Sequence, residues 1–266
     1  MTRRAILVCW ALAAAAAFTL KALAPGLPLF HDLLTDGVML RIGGGTKLLL
    51  LLFGWHFAAR NAAALEADNP ARRPWRLFAW GLFAFALGQA VLSYYQLVLG
   101  NSPYPSIGDA FFLCAYPLLI TATFGFVRAY REAGYPVGSA REHAAMALVI
   151  GVTFAVVGYR LLRPVMAMDS PLSERLLTAG YPALDFVWLV AILVLLRIAA
   201  GFRGGQVFRA WAFLLLGTLA QCAGDILYAY FAVLGQTGLD AIIDATYIVS
   251  YLFVALGTMG HNDLLK

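Results

Sequence analysis

The stretch RPWRLFAWGLFAFALGQAVLSY (73–94) decides the fold. It opens on Arg73 and Arg76 and then runs from 77 to 94 without Asp, Glu, Lys, Arg or His. Crossing a hydrocarbon core takes about 20 residues of helix, so the stretch reads as a membrane span entered from a basic end. A second stretch, RAWAFLLLGTLAQCAGDILYAY (209–230), matches it at an offset of 136. Arg73-x-Trp75 pairs with Arg209-x-Trp211, Gly81 with Gly217, Gly88-Gln89 with Gly224-Asp225, and Tyr94 with Tyr230. The spans that follow align at 135: Asp109-Ala110 with Asp244-Ala245, and Tyr116 with Tyr251. Two linked spans repeating at nearly one period predict a duplicated chain.

The rest of the composition agrees. Of the 266 residues, 62% are hydrophobic and 12% charged, against about 25% charged in an ordinary soluble domain. Mean hydropathy is +0.79. These values exclude a soluble globular enzyme, a disordered tail and a disulfide scaffold. The expected fold is all-α: a polytopic bundle with spans near 5–24, 38–58, 77–99, 108–128, 144–162, 177–198, 208–234 and 242–260. Four spans per half, about 1–135 and 136–266, is an even number and predicts parallel repeats within one integral membrane domain, 1–266. The first span also carries signal-peptide features, Arg3-Arg4 before an apolar run and Ala22-Leu23-Ala24 after it; it is read as an uncleaved helix. Cys9, Cys114 and Cys222 lie in apolar runs without metal-ligand spacing and read as core residues.

Charge sets the expected orientation. Thirteen of nineteen Lys and Arg fall on one set of connections, which makes that side, with both termini, cytoplasmic. Arg160, Arg163 and Arg175 oppose the bias on the other side. The net charge of +5 is accounted for by this asymmetry and implies no nucleic acid. Tyr and Trp residues at span ends read as interfacial anchors.

Ionisable groups in hydrocarbon are costly and normally face a bundle interior or a cavity. Lys47, Gln89, Asp185 and Asp225 each stand eight to ten residues from the outer end of their spans, about 12–15 Å deep at 1.5 Å per residue. Asp109 and Asp244 stand at the outer mouths of the fourth and eighth spans. Gln221, Asp225 and Tyr228 share one helix face; Tyr181 and Asp185 are an i, i+4 pair; Asp244, Tyr247 and Tyr251 form a stripe mirrored by Asp109, Phe112 and Tyr116. The expectation is an outward-facing polar cavity. Lys47, Asp185, Asp225 and Gln89 would form its core, and Asp109, Asp244, Tyr116, Tyr228 and Tyr251 its lining. The competing reading is structural: Lys47 pairs with Asp185 or Asp225, Asp109 and Asp244 cap their helices, and the rest are interhelical hydrogen bonds worth about 0.6 kcal/mol each.

Other chemistry finds little support. Gly224-Asp225 echoes intramembrane aspartyl proteases, but Cys222 stands where their first Gly belongs. His56 has no second span histidine at matching depth for haem. Gly43-Gly44-Gly45 lacks the Lys-Ser/Thr of a phosphate loop and suggests close helix packing or a local break near Lys47. No metal site, catalytic residue or cofactor is assigned.

The stretch SPYPSIGDAFFLCAYPLL (102–119) resembles the P-[FY]-P-S-x-[AG]-D-x-x-[YF]-L-x-x-Y-P-L signature of multi-span sensory regions of bacterial signalling proteins that carry GGDEF and EAL (diguanylate cyclase and phosphodiesterase) domains. TDGVML (35–40), AGYPALDFVWL (179–189), GDILYAY (224–230) and DATYIVSYLFVALG (244–257) follow in family order. Gln89 departs from the Asp the family has after Gly, and Glu142-His143 stands near the family's Asp of the fifth span. No GGDEF effector lies within the 266 residues. The resemblance implies a sensory piece of a longer protein, or a free-standing relative working through a cytoplasmic signalling partner. The resulting expectation is an inner-membrane sensory module binding a small molecule or lipid from the outer side; a proton- or ion-coupled transporter and a non-catalytic subunit of a larger complex are the alternatives.

Overall fold

The computed structural model describes residues 3–135, 138–235 and 240–265. Of the described residues, 86% are helical and none lies in a strand. Eight helices are long and apolar enough to cross a membrane: the protein is an all-α polytopic bundle. They are α1 (Arg3–Leu23), then after the short α2 (Pro28–Asp32) come α3 (Asp36–Ala64), α4 (Arg72–Tyr94) and α5 (Ile107–Glu132). In the second half α6 (Ala140–Val157) runs on through a π turn and the short α7 (Arg163–Met166), followed by α8 (Leu172–Ala199), α9 (Gln206–Leu234) and α10 (Asp240–Leu264).

Most helices outrun the apolar windows read from the sequence. Charge ends a hydropathy window, whereas a helix ends where its free N–H and C=O groups find other partners. Ser106 with Asp109 and Ser139 with Glu142 form capping boxes that start α5 and α6. Gly235, at φ +62°, ends α9 in the left-handed conformation that suits glycine.

Six helices close a ring in the order α3, α4, α5, α8, α9, α10, with α10 packed back on α3. α1 lies outside against α10 and α3, and α6 outside against α8. Only 6% of the apolar window of α6 is buried; a helix apolar on every side has lipid as its natural surroundings. The N- and C-terminal segments meet at one end, where Arg4 pairs with Asp263.

Lipid offers no hydrophobic gain for joining apolar helices, so close backbone approach must supply cohesion. Glycines provide it. A Cβ on Gly81 would lie 2.6 Å from the Leu119 side chain and 3.3 Å from the Ala115 carbonyl. One on Gly217 would lie 2.9 Å from the Ser250 carbonyl and 3.2 Å from the Val254 amide nitrogen. Backbone cannot yield as a side-chain tip can. Gly217→Ala is therefore expected to cost about 1–3 kcal/mol by overpacking, read as a lower unfolding temperature in detergent. Gly45→Ala, which meets nothing within 4 Å, should leave that temperature unchanged or raise it. The glycine run 43–45 does not break α3, and two of its three members pack closely: Gly43 faces the Phe18 ring and Gly44 the Ser93 hydroxyl.

Trp75 and Trp211 are not interfacial anchors. They are 1% and 2% exposed and stack on each other with centroids 6.0 Å apart at 19°. Phe126 and His261 pack against both. The apolar interior of the ring holds these side chains toward the terminal end, packed on one another. Trp80, by contrast, is 58% exposed on the outer face of α4.

Candidate functional site

At the end of the ring remote from the termini lies a cavity of about 370 Å³. Each of the six ring helices contributes to it or to the carboxyl beneath it. Lys47 comes from α3, Gln89 from α4, and Asp109 and Tyr116 from α5. Asp225 and Tyr228 come from α9, Asp244 and Tyr251 from α10. Asp185, on α8, does not line the cavity; it sits fully buried behind Tyr116.

Helical spacing brings these groups inward. Positions i, i+4 and i+7 share a face, and Gln221, Asp225 and Tyr228 all line the space, as do Asp109, Phe112 and Tyr116, and Asp244, Tyr247 and Tyr251. The glycines just before Gln89 and Asp225 let the next helix approach. A Cβ on Gly88 would lie 2.7 Å from the Phe112 ring, and one on Gly224 would lie 2.7 Å from the Tyr247 ring.

The polar groups form three clusters. In the deepest, the Tyr116 hydroxyl faces two carboxyls, 2.7 Å from Asp185 Oδ1 and 3.2 Å from Asp225 Oδ2. Tyr247 donates to Asp225 Oδ1, and the Gln221 amide reaches Asp225 Oδ2 at 3.5 Å. In the second, Lys47 Nζ lies 2.6 Å from Asp244 Oδ1. The sequence left Lys47 a choice of Asp185 or Asp225; its partner is Asp244, nearer the mouth and 36% exposed at the side chain. A long flexible ammonium stem reaches an acid that keeps some water, which lowers the desolvation cost of the pair. In the third, Asp109 accepts the Ser106 amide N–H at 2.6 Å, its hydroxyl at 2.8 Å and the Tyr181 hydroxyl at 2.7 Å. Asp109 is thus a helix cap and a cavity wall at once. Glu142, near the position where the resemblance has a fifth-span acid, pairs at 2.6 Å with Arg197 away from the cavity.

The sequence reading missed Tyr104. The connection holding Ser102, Pro103, Tyr104 and Ser106 covers the cavity on one side. Tyr104 bonds Thr178 Oγ1 at 3.1 Å and meets the Tyr228 ring edge-on at 5.6 Å. Burial pushes its phenol above its ordinary range. Tyr104 stands in a loop, where periodicity carries no signal; its place in the P-Y-P motif was the one available hint. Also unforeseen was Asn61 on α3, fully buried and donating to the Thr258 carbonyl at 3.1 Å. Among the described residues no three His, Cys, Asp or Glu come together to hold a metal ion.

The cavity is closed toward the terminal end. Leu82, Leu119 and Leu214 are each 1% exposed or less, and the Trp75–Trp211 stack lies beyond them. The chemistry on offer is recognition: carboxyls, phenols and one ammonium around a space of small-molecule size. Comparison with known proteins found no matching family model, no matching curated protein and no matching solved structure.

Proposed function

We propose that the protein is a sensory, ligand-binding module of a bacterial inner membrane, with its cavity facing outward and both termini in the cytoplasm. The observation that carries this reading is the cavity itself, open at the end remote from the termini, with buried leucines and the tryptophan stack filling the bundle toward the other end. A blind polar pocket suits binding. A transporter needs a polar path through both halves of the membrane. The excess of Lys and Arg at the terminal end supports the orientation. The likeness of 102–119 to bacterial sensory regions supports a signalling role.

Two parallel halves fit the same reading. Gly81 meets Leu119 and Ala115 as Gly217 meets Val254 and Ser250, all at the sequence offsets of 135 and 136. Trp75 stacks on its counterpart Trp211. The cavity takes groups from both halves, so a bound molecule shifts how they pack, and the cytoplasmic helix ends carry that shift to an effector or a partner.

Thiol labelling tests the arrangement. With the natural cysteines replaced, Tyr228→Cys should react with a membrane-impermeant maleimide in intact spheroplasts. Asp68→Cys, between α3 and α4, should react only after the membrane is opened. Labelling of Cys at 68 in sealed cells would reverse the orientation. Labelling at 228 from both sides would favour a transport path and overturn the reading.

A further inference from the structure

The charges lining the cavity do not balance. Three carboxyls, Asp109, Asp225 and Asp244, face one ammonium, Lys47. Lys47 is the sole Lys, Arg or His among the described lining residues, and it is taken up by Asp244. The donors on Asp109 and Asp225 are neutral: hydroxyls, a backbone N–H and an amide. Neutral donors hold these carboxyls without supplying a positive charge, and a carboxyl buried in a bundle is normally matched by one.

Two independent observations point to what completes the pairing. The first is Gln89, 2% exposed and lining the cavity. Its amide nitrogen donates to Ser93 Oγ at 3.1 Å, while its carbonyl oxygen has no hydrogen-bond partner among the described residues. That oxygen opens onto the cavity, where an N–H from a ligand can donate to it. The second is the aromatic wall. Tyr104 and Tyr228 meet edge to face, Tyr247 and Tyr251 are near-parallel at 13°, and Phe85 and Tyr116 complete the circle. Ring faces attract cations, and here they stand next to the unbalanced carboxyls.

We infer that the cavity binds an amine-type organic cation. Its ammonium would be held by Asp225, the Gln89 carbonyl would take a further donor across the cavity, and its apolar body would lie among the tyrosine and phenylalanine rings. This rests on the ligand-binding reading above and names the class of ligand. An anionic head group is disfavoured, because it would meet the acceptor oxygens of Asp109 and Asp225 and find Lys47 already paired.

Three probes of similar size and different charge test the assignment on the full chain in lipid nanodiscs: 2-phenylethylamine, 2-phenylethanol and phenylacetate. The amine should raise the unfolding temperature in a saturable way and bind at least ten-fold tighter than the alcohol, with phenylacetate weakest. Asp225→Asn keeps hydrogen-bonding atoms in place and should weaken the amine at least ten-fold while leaving the weak alcohol binding unchanged. If the alcohol or the acid binds as tightly as the amine, or if none of the three binds the wild-type chain, the assignment is overturned. Loss of the amine alone would leave the sensory-module reading intact where Cys at 228 is still labelled from outside only. The comparison among probes on the wild-type chain does not depend on any variant folding.

Discussion

Asp225→Leu is expected to lower the unfolding free energy of the bundle by about 2–4 kcal/mol, measured by SDS titration from mixed micelles. Asp225 accepts from three donors on three helices: Tyr116 of α5, Tyr247 of α10 and Gln221 of its own α9. Leucine removes the acceptor and leaves the donors. Tyr116 keeps Asp185, but Tyr247 and the Gln221 amide have no other acceptor among the described residues, and an orphaned buried donor costs about 1–3 kcal/mol. The asymmetry of hydrogen bonding gives the check its force. Adding Tyr247→Phe to Asp225→Leu should recover part of the loss, because the unmatched hydroxyl goes too, whereas Tyr247→Phe alone should cost less than Asp225→Leu alone. A double-mutant cycle measures that coupling. If the leucine variant falls within 1 kcal/mol of the wild type, the Asp225 cluster contributes nothing to the fold.

The polar layer was legible in the sequence for a specific reason. Hydrocarbon makes each ionisable residue expensive, so the few that occur stand out, and helical periodicity assigns them a face. Asp109, Tyr116, Asp225, Tyr228, Asp244 and Tyr251 stood at readable positions on long regular helices, and all six line the cavity. Lys47 and Gln89 were legible by depth and line it as well. Depth could not distinguish lining from backing: Asp185 shares that depth but points behind Tyr116. Nor could it choose a partner for Lys47, since a flexible four-carbon stem spans more than one turn of a neighbouring helix. Asp244, a mouth residue by position, is what it reaches.

The aromatic residues misled for the opposite reason. Trp75 stands one turn inside a basic helix end, where Trp commonly marks the membrane interface. Nothing within α4 separates it from Trp80, which does face outward. What separates them is the ring of helices, which turns position 75 toward position 211 across the axis. The sequence held that information only in its matching motifs: the two Arg-x-Trp stretches 136 residues apart supply the two members of one stack.

That stack carries the second large expectation. Trp75→Ala should destabilise the bundle by about 3–5 kcal/mol, the range for truncating a large aromatic in a packed core. Trp75 touches Phe78, Phe126, Trp211 and His261, and those rings cannot all close on the space it vacates without leaving one another. Trp80→Ala, five residues on, should change stability by no more than about 0.5 kcal/mol. Trp211→Ala should cost about as much as Trp75→Ala, and the double variant clearly less than the sum, because the two losses share one contact. Strict additivity would mean that the two halves do not meet through this stack. Under the proposed function the cavity, drawn from both halves, and this joint, made of one residue from each, belong to one mechanism. A ligand that shifts the halves would then alter the Trp75–Trp211 overlap, and the coupling energy of this pair should differ between the empty and the amine-loaded protein.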